Sequence, residues 1–244
     1  MSDRPGRVLI EVTLPAPADE VWRALRDPAA IRRWFGWDYD GIDDEIRQIF
    51  VDGPVASDAD RTLTWPEGDR FAVEPRGTGS VLRVTRAAPA GGAGWDEVYD
   101  DIAEGWITFV QQLRFLMARH PGDERRTVFL SGRPAEAGGP LALATLGLGA
   151  VADRPAGDRY DVMLATGERL AGEVWFRSPF QLGLTVDGYG DGLVVVAERP
   201  FAPEGAMVVV TTYGLGADAV AAVDDRWRRW WAPRYPDDDA AGGG

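Results

Sequence analysis

The stretch from Gly94 to His120, GWDEVYDDIAEGWITFVQQLRFLMARH, constrains the fold more than any other. Apolar residues recur at Trp95, Val98, Ile102, Trp106, Phe109, Leu113 and Leu116. Steps of three and four place them on one face of a helix, and Val110 and Met117 widen that face. Asp96, Glu97, Asp100, Asp101 and Glu104 crowd the first half, where the helix dipole favours negative charge; Arg114, Arg119 and His120 lie toward the other end. Pro121-Gly122 stops the helix. A helix this long, with so wide an apolar face, needs a broad surface to lie on.

The chain before it reads as that surface. Val8, Ile10, Val12 and Leu14 alternate along Arg7–Leu14, which predicts a half-buried strand with these four on one side. Short helices are expected over Ala18–Arg26 and, capped by Asp27-Pro28, over Ala29–Phe35. After an acidic loop at Asp38–Glu45, strands are expected at Ile46–Val51, Arg61–Trp65, Arg70–Pro75 and Ser80–Arg86. The turns Pro66-Glu67-Gly68-Asp69 and Gly77-Thr78-Gly79 imply antiparallel hairpins. A Gly-rich linker, Ala90–Gly94, leads into the long helix.

Strand, two short helices, antiparallel strands and a long helix is an order that resembles the helix-grip fold of the START-like (SRPBCC) superfamily, nearest its AHSA1-like branch. The residues carrying the resemblance are VLIEVTLPAPADEVWRALRDPAAIRRWF at Val8–Phe35, LTWPEGDRFAVEP at Leu63–Pro75, and Gly105-Trp106 within the long helix. The short Phe35–Trp65 segment departs from the family and implies reduced early strands. In that family the cavity lies between the concave sheet and the long helix. By position the resemblance implies Trp34 and Phe35 at its mouth, Trp65 and Phe71 on the sheet, and Trp106 and Val110 on the helix. Aromatic-lined concavities suit small apolar or amphipathic ligands, and the same residues equally suit a filled core.

The second half repeats the order in degenerate form. Arg126–Ser131 is its first expected strand and Pro140–Leu148 a short helix. Strands follow at Tyr160–Leu164, Arg169–Arg177, Gln181–Val186, Leu193–Glu198 and Ala206–Tyr213, then a helix over Ala217–Trp231. Ser80–Arg86 aligns with Ala206–Thr212, and Trp106 with Trp227. The expected class is therefore α+β, with tandem START-like domains at 7–120 and 126–235 and a disordered tail at 236–244. One domain followed by an unrelated sheet is the alternative. Trp175, Arg177 and Trp227 are the counterpart site residues. Strand alternation puts Glu173, Trp175 and Arg177 on one face and Val174 and Phe176 on the other.

Composition narrows the chemistry. The chain has no Cys, Lys or Asn and one His, and all 26 basic residues are Arg. Thiolate nucleophiles, Cys-ligated zinc, Schiff-base lysines and multi-histidine metal sites are excluded. The absence of Lys and Asn beside abundant Ala, Gly and Arg suggests a GC-rich bacterial genome. A net charge of -13 argues against nucleic acid and anionic lipid as partners. No apolar run is long enough to span a membrane, and MSDRPGRVLIEV lacks an apolar signal region, so the expected location is cytoplasmic.

Four further motifs have ordinary readings. His120 reads as a solvated helix end, Gly214-Leu215-Gly216 as a helix entry, and Asp187–Gly192 as a hairpin turn. Asp38, Asp40, Asp43, Asp44 and Glu45 read as a solvated loop. The expectation is thus a non-enzymatic binder of a small hydrophobic or amphipathic molecule, with no catalytic residue, metal or cofactor. One alternative is a chaperone-associated or protein-interaction module, with a protein partner. The other is a cavity-based cyclase/hydratase-like enzyme, since some relatives work in the same cavity with carboxylate, Tyr and Arg.

Overall fold

A computed structural model describes residues 6–87, 95–136, 141–198 and 205–236, and only the backbone of 95–101. The expectations for the 90–94 linker and for the tail from 237 onward lie outside these residues. The chain divides into two compact units, Met1–Asp123 and Glu124–Gly244.

The first unit runs β1 (Arg7–Leu14), α1 (Ala18–Arg26), α2 (Pro28–Ile31), α3 (Ile42–Ile46), a π-helical segment (Arg47–Asp52), β2 (Val55–Ser57), β3 (Thr62–Thr64), β4 (Arg70–Arg76), β5 (Gly79–Arg86) and α4 (Trp95–Arg119). Its antiparallel sheet has the order β1-β5-β4-β3-β2. The second unit runs β6 (Arg125–Gly132), α5 (Ala142–Thr145), α6 (Gly149–Ala152), β7 (Arg159–Met163), β8 (Arg169–Arg177), β9 (Gln181–Val186), a 3-10 turn (Asp187–Tyr189), β10 (Gly192–Glu198), β11 (Ala206–Tyr213) and α7 (Ala217–Trp231). Its sheet order is β6-β11-β10-β9-β8-β7. In both units the first strand pairs with the last, the strands between form a meander, and a helix closes the unit.

Local chemistry explains most boundaries. The Asp27 side chain accepts from the Ala29 amide at 3.0 Å, and Pro28 supplies a preset φ at the start of α2. That helix ends at Ile31 rather than Phe35, and turns carry the chain on to Phe35. In place of the one helix expected over Pro140–Leu148 there are two, α5 and α6, separated at Gly147, whose φ is +86°.

Four more expectations fail, for identifiable reasons. The strand expected at Ile46–Val51 is helical: Ile42, Ile46 and Phe50 recur every four residues and are all buried, whereas Val51 is exposed. Strand alternation would have paired Ile46 and Phe50 with Gln48, a polar residue that is exposed. The acidic residues Asp43, Asp44 and Glu45, expected in a loop, form the first turn of α3, where carboxylates suit the helix dipole.

The other two failures are β-bulges. Val8 pairs with Thr85 and Ile10 with Val84, so Leu9 is an extra residue on β1. Val8 is thereby turned to the outer face, 51% exposed, away from Val12 and Leu14. On β8, Val174 pairs with Leu184 and Phe176 with Gly183, which makes Trp175 the extra residue. Val174 and Phe176 therefore lie on opposite faces, not together. A side chain at Gly183 would sit 2.2 Å from the Phe176 ring, so this position needs glycine.

Each unit has its own packing. In the first, Leu14, Val12, Leu82, Val84, Phe71, Val73 and Leu63 are buried, and Arg83 bridges Glu11 and Glu74 on the outer face. In the second, Val128, Leu130, Leu182, Leu184, Val194, Val196, Val208 and Val210 form one face, packed with Leu146, Val151, Trp227, Trp230 and Tyr235. His120, expected to be solvated, is 7% exposed, with Nδ1 3.1 Å from an Asp123 carboxylate oxygen. No helix among the described residues is long and apolar enough to cross a membrane.

Candidate functional site

In the first unit, the aromatic residues singled out from the sequence do converge. The Trp106 ring on α4 lies 5.0 Å from Phe71, 6.0 Å from Trp65 and 6.1 Å from Phe35, centroid to centroid. Phe50 and Phe109, which the sequence reading left out of the site, lie 5.9 and 6.2 Å from it. Trp106, expected to be buried at the centre of the helix stripe, is only half-buried, as are Trp65 and Phe109. Ile102, one turn before it, is 46% exposed. Val110, one turn after it, is fully buried.

Trp34 and Phe35 are not at a mouth. Both are buried, and Trp34 donates its indole N–H to the Ala24 carbonyl at 2.9 Å. Phe50 packs edge-on to both, at 5.5 and 5.0 Å. The cluster therefore has a closed floor of Trp34, Phe35, Phe50 and Phe71 and a half-open side of Trp65, Trp106 and Phe109. The Trp65 indole N–H is held by the Ile49 carbonyl at 2.9 Å, which fixes the ring to the π-helical segment.

In the second unit, the three counterparts are not brought together. Trp227 is fully buried in the core with Val174 and Leu184. Trp175 is the bulged residue of β8, half-buried, and Arg177 is exposed, 3.8 Å from Asp153.

Trp227 instead opens a polar chain that sequence reading missed. Its indole N–H donates to the Tyr189 hydroxyl at 3.0 Å. The Tyr189 O–H donates to Glu168 Oε1 at 2.5 Å. Glu168 Oε2 accepts from Arg226 Nη1, also at 2.5 Å. Three elements meet here. Glu168 ends the β7–β8 hairpin, whose turn places Gly167 at φ +85°. Tyr189 closes the 3-10 turn between β9 and β10. Arg226 and Trp227 are neighbours on α7. Gly190, at φ +68°, is required beside Tyr189, because a Cβ there would lie 1.7 Å from the Tyr213 carbonyl oxygen. The chain runs from full burial at Trp227 to an Arg226 side chain 42% exposed, with Glu168 11% exposed between them.

Burial, more than the hydrogen bond to Glu168, pushes the Tyr189 phenol far above its ordinary value; the donated Trp227 N–H pulls the other way. Burial likewise raises Tyr160, whose hydroxyl donates to the Thr185 carbonyl at 2.6 Å. Tyr39, whose hydroxyl donates to the Glu45 carboxylate, is pushed up to about 12 by desolvation first and that hydrogen bond second. A raised phenol stabilises the fold fully below the unfolded value of about 10, and that stability is lost as pH rises toward the folded value. In an alkaline titration of the six tyrosines, Tyr160 and Tyr189 are therefore expected to ionise only as native circular dichroism is lost. Phenolate absorbance reaching its full amplitude before unfolding would contradict this.

A separate depression of about 200 Å³ lies between Pro134, Glu136, Thr145, Pro233, Arg234 and Tyr235. It is smaller than the roughly 300–1,000 Å³ of ordinary ligand sites. Among the described residues no group of three or more His, Asp or Glu side chains is placed to hold a metal ion.

No protein-family model matches the sequence, and no curated protein matches it. Among solved structures the chain is similar to DynU16, a protein in the dynemicin biosynthetic locus. That match has 20% identity, 91% of this chain, 93% of that chain and a TM-score of 0.32. It is also similar to the di-domain ARO/CYC BexL from the BE-7585A biosynthetic pathway, at 15% identity, 88% of this chain, 86% of that chain and a TM-score of 0.34. A third is the di-domain ARO/CYC StfQ from the steffimycin biosynthetic pathway, at 9% identity, 92% of this chain, 93% of that chain and a TM-score of 0.35. Likeness at this level transfers no residue role. The expectation of non-enzymatic binding is nevertheless corrected. The second unit brings Glu168, Tyr189 and Arg226 into one hydrogen-bonded series, which the sequence reading did not assemble. The chain is an α+β protein of two antiparallel-sheet units, each ending in a helix that follows its last strand.

Proposed function

We propose that this protein is a cyclase/hydratase-like enzyme whose acid–base group is Glu168. The observation that carries this reading is the convergence of a carboxylate, a tyrosine and an arginine around a buried tryptophan in the second unit. Glu168 is the base, taking a proton from carbon. Arg226, next to it and partly in solvent, stabilises the oxyanion that forms on the adjacent carbonyl. Tyr189 holds Oε1 and Arg226 holds Oε2, so the remaining lone pair of Oε2, on the partly exposed Arg226 side, is the one that meets the substrate.

A carboxylate is a weak base, so the carbon acid must be strongly activated. A methylene between two carbonyls meets that need, and its carbanion closes a ring by attacking a further carbonyl. The substrate class is therefore a small, largely apolar 1,3-dicarbonyl compound. The aromatic set Trp34, Phe35, Trp65, Phe71, Trp106 and Val110 belongs to the first unit, and its half-open side supports apolar binding there. We further propose that residues 7–120 and 126–235 are two copies of one START-like module, supported by their shared strand order, with the Val8–Phe35 motif AHSA1-like.

The test is exchange of the methylene hydrogens of a simple 1,3-dicarbonyl probe in heavy water, followed by NMR. The protein is expected to accelerate exchange saturably, well above an equal concentration of acetate. A rate equal to that of acetate would remove the enzymatic reading.

A further inference from the structure

The direction of every hydrogen bond around Tyr189 is set by the chemistry of its partners. An indole N–H only donates and a guanidinium only donates, while an ionised carboxylate only accepts. Among these four side chains the Tyr189 hydroxyl is the one able to do both. With Trp227 donating to its oxygen at 3.0 Å, its own proton is left for Glu168 at 2.5 Å. Trp227 is held in place by the core, since its ring is fully buried in the cluster that also contains Val223, Val174 and Leu184. Neither Trp227 nor Arg226 releases a proton near neutral pH. The chain therefore carries one movable proton beside Glu168, and Trp227 fixes where it points.

We infer that Trp227 is a positioning residue, whose indole N–H locks the Tyr189 hydroxyl onto Glu168 and so holds the carboxylate in one orientation. The catalytic consequence rests on the enzymatic reading of Glu168 proposed above; the geometric claim does not. Without the indole N–H the hydroxyl oxygen loses its donor, and the bond to Oε1 is left as the one contact that orients the O–H. Trp227→Phe keeps a large ring in the core and removes only that donor and part of the volume.

The experiment is proton NMR of the full chain. A hydroxyl proton locked in a short hydrogen bond to a carboxylate exchanges slowly and resonates downfield. The wild type is expected to show such a signal for Tyr189, with a cross-peak to the Trp227 indole proton, assigned by its loss in Tyr189→Phe. Tyr160, whose hydroxyl is held independently by the Thr185 carbonyl, supplies an internal control. In Trp227→Phe the Tyr189 signal is expected to broaden or move upfield while the Tyr160 signal stays. On the dicarbonyl probe the same variant is expected to lose roughly ten-fold in kcat with KM little changed, the scale of one hydrogen bond. An unmoved Tyr189 signal in Trp227→Phe overturns the inference. If that variant does not fold, the wild-type cross-peak decides: its absence overturns the inference and its presence sustains the lock. A wild type with the cross-peak but no turnover sinks only the enzymatic reading.

Discussion

Trp34→Ala is expected to destabilise the first unit by about 3–5 kcal/mol, the range for removing a fully buried tryptophan. Trp34 has no exposed surface, and its indole N–H is satisfied by the Ala24 carbonyl within the protein. Its ring supports Phe35 and Phe50 edge-on, at 6.0 and 5.5 Å. Truncation would leave a cavity below the aromatic cluster and an orphaned carbonyl on α1. Trp106→Ala is expected to cost less, although Trp106 touches more rings, because part of its surface already meets water. Urea unfolding read by circular dichroism measures both. Equal losses, or a larger loss at Trp106, would mean that the half-open side is closed in solution.

Glu168→Gln is expected to lower turnover of a 1,3-dicarbonyl probe by about 10²–10⁴-fold, the usual worth of a positioned general base. The amide nearly matches the carboxylate in shape, so its oxygen still accepts from Tyr189. It cannot take a proton from carbon, and its NH₂ faces the Arg226 guanidinium without attraction. Stability is expected to fall by only about 1.5–3 kcal/mol, the scale of hydrogen bonds to a charged group. A variant that folds and turns over at the wild-type rate would show that Glu168 is a structural partner of Tyr189 and nothing more.

Much of the fold was legible because it follows local pattern. The bounds of Arg7–Leu14, Ala18–Arg26, Arg169–Arg177, Gln181–Val186, Ala206–Tyr213 and Ala217–Trp231 agree between sequence and structure. Each has a clear period and a clear stop. Ile46–Val51 was misread because a four-residue recurrence of Ile42, Ile46 and Phe50 overlaps a two-residue one. Val8 and the Val174/Phe176 pair were misread because a bulge leaves no mark in the alternation it interrupts.

The candidate sites divide in the same way. The rings at Trp65, Phe71 and Trp106 were legible as a set, since each falls at a core-facing position of a strand or helix. Phe50 was hidden by the wrong period around it. Glu168 and Tyr189 were invisible for a different reason. ATGER at Ala165–Arg169 and DGYGDG at Asp187–Gly192 read as surface turns, and turns they are. Nothing in either segment indicates that the two meet 21 residues apart and share a proton over Trp227.

The sequence by itself determined the α+β class, the positions of both terminal helices and most strands, and a chemistry without Cys, Lys or a histidine cluster. These depend on period, turn residues and composition, which act over a few neighbours. Only the tertiary structure decided which face Val8, Trp175 and Phe176 occupy, that Trp34 is floor rather than mouth, and that Glu168, Tyr189, Arg226 and Trp227 form one chain. Register and bulges are set by pairing between distant strands, and a hydrogen-bonded site joins loops whose separation in sequence carries no periodic signal.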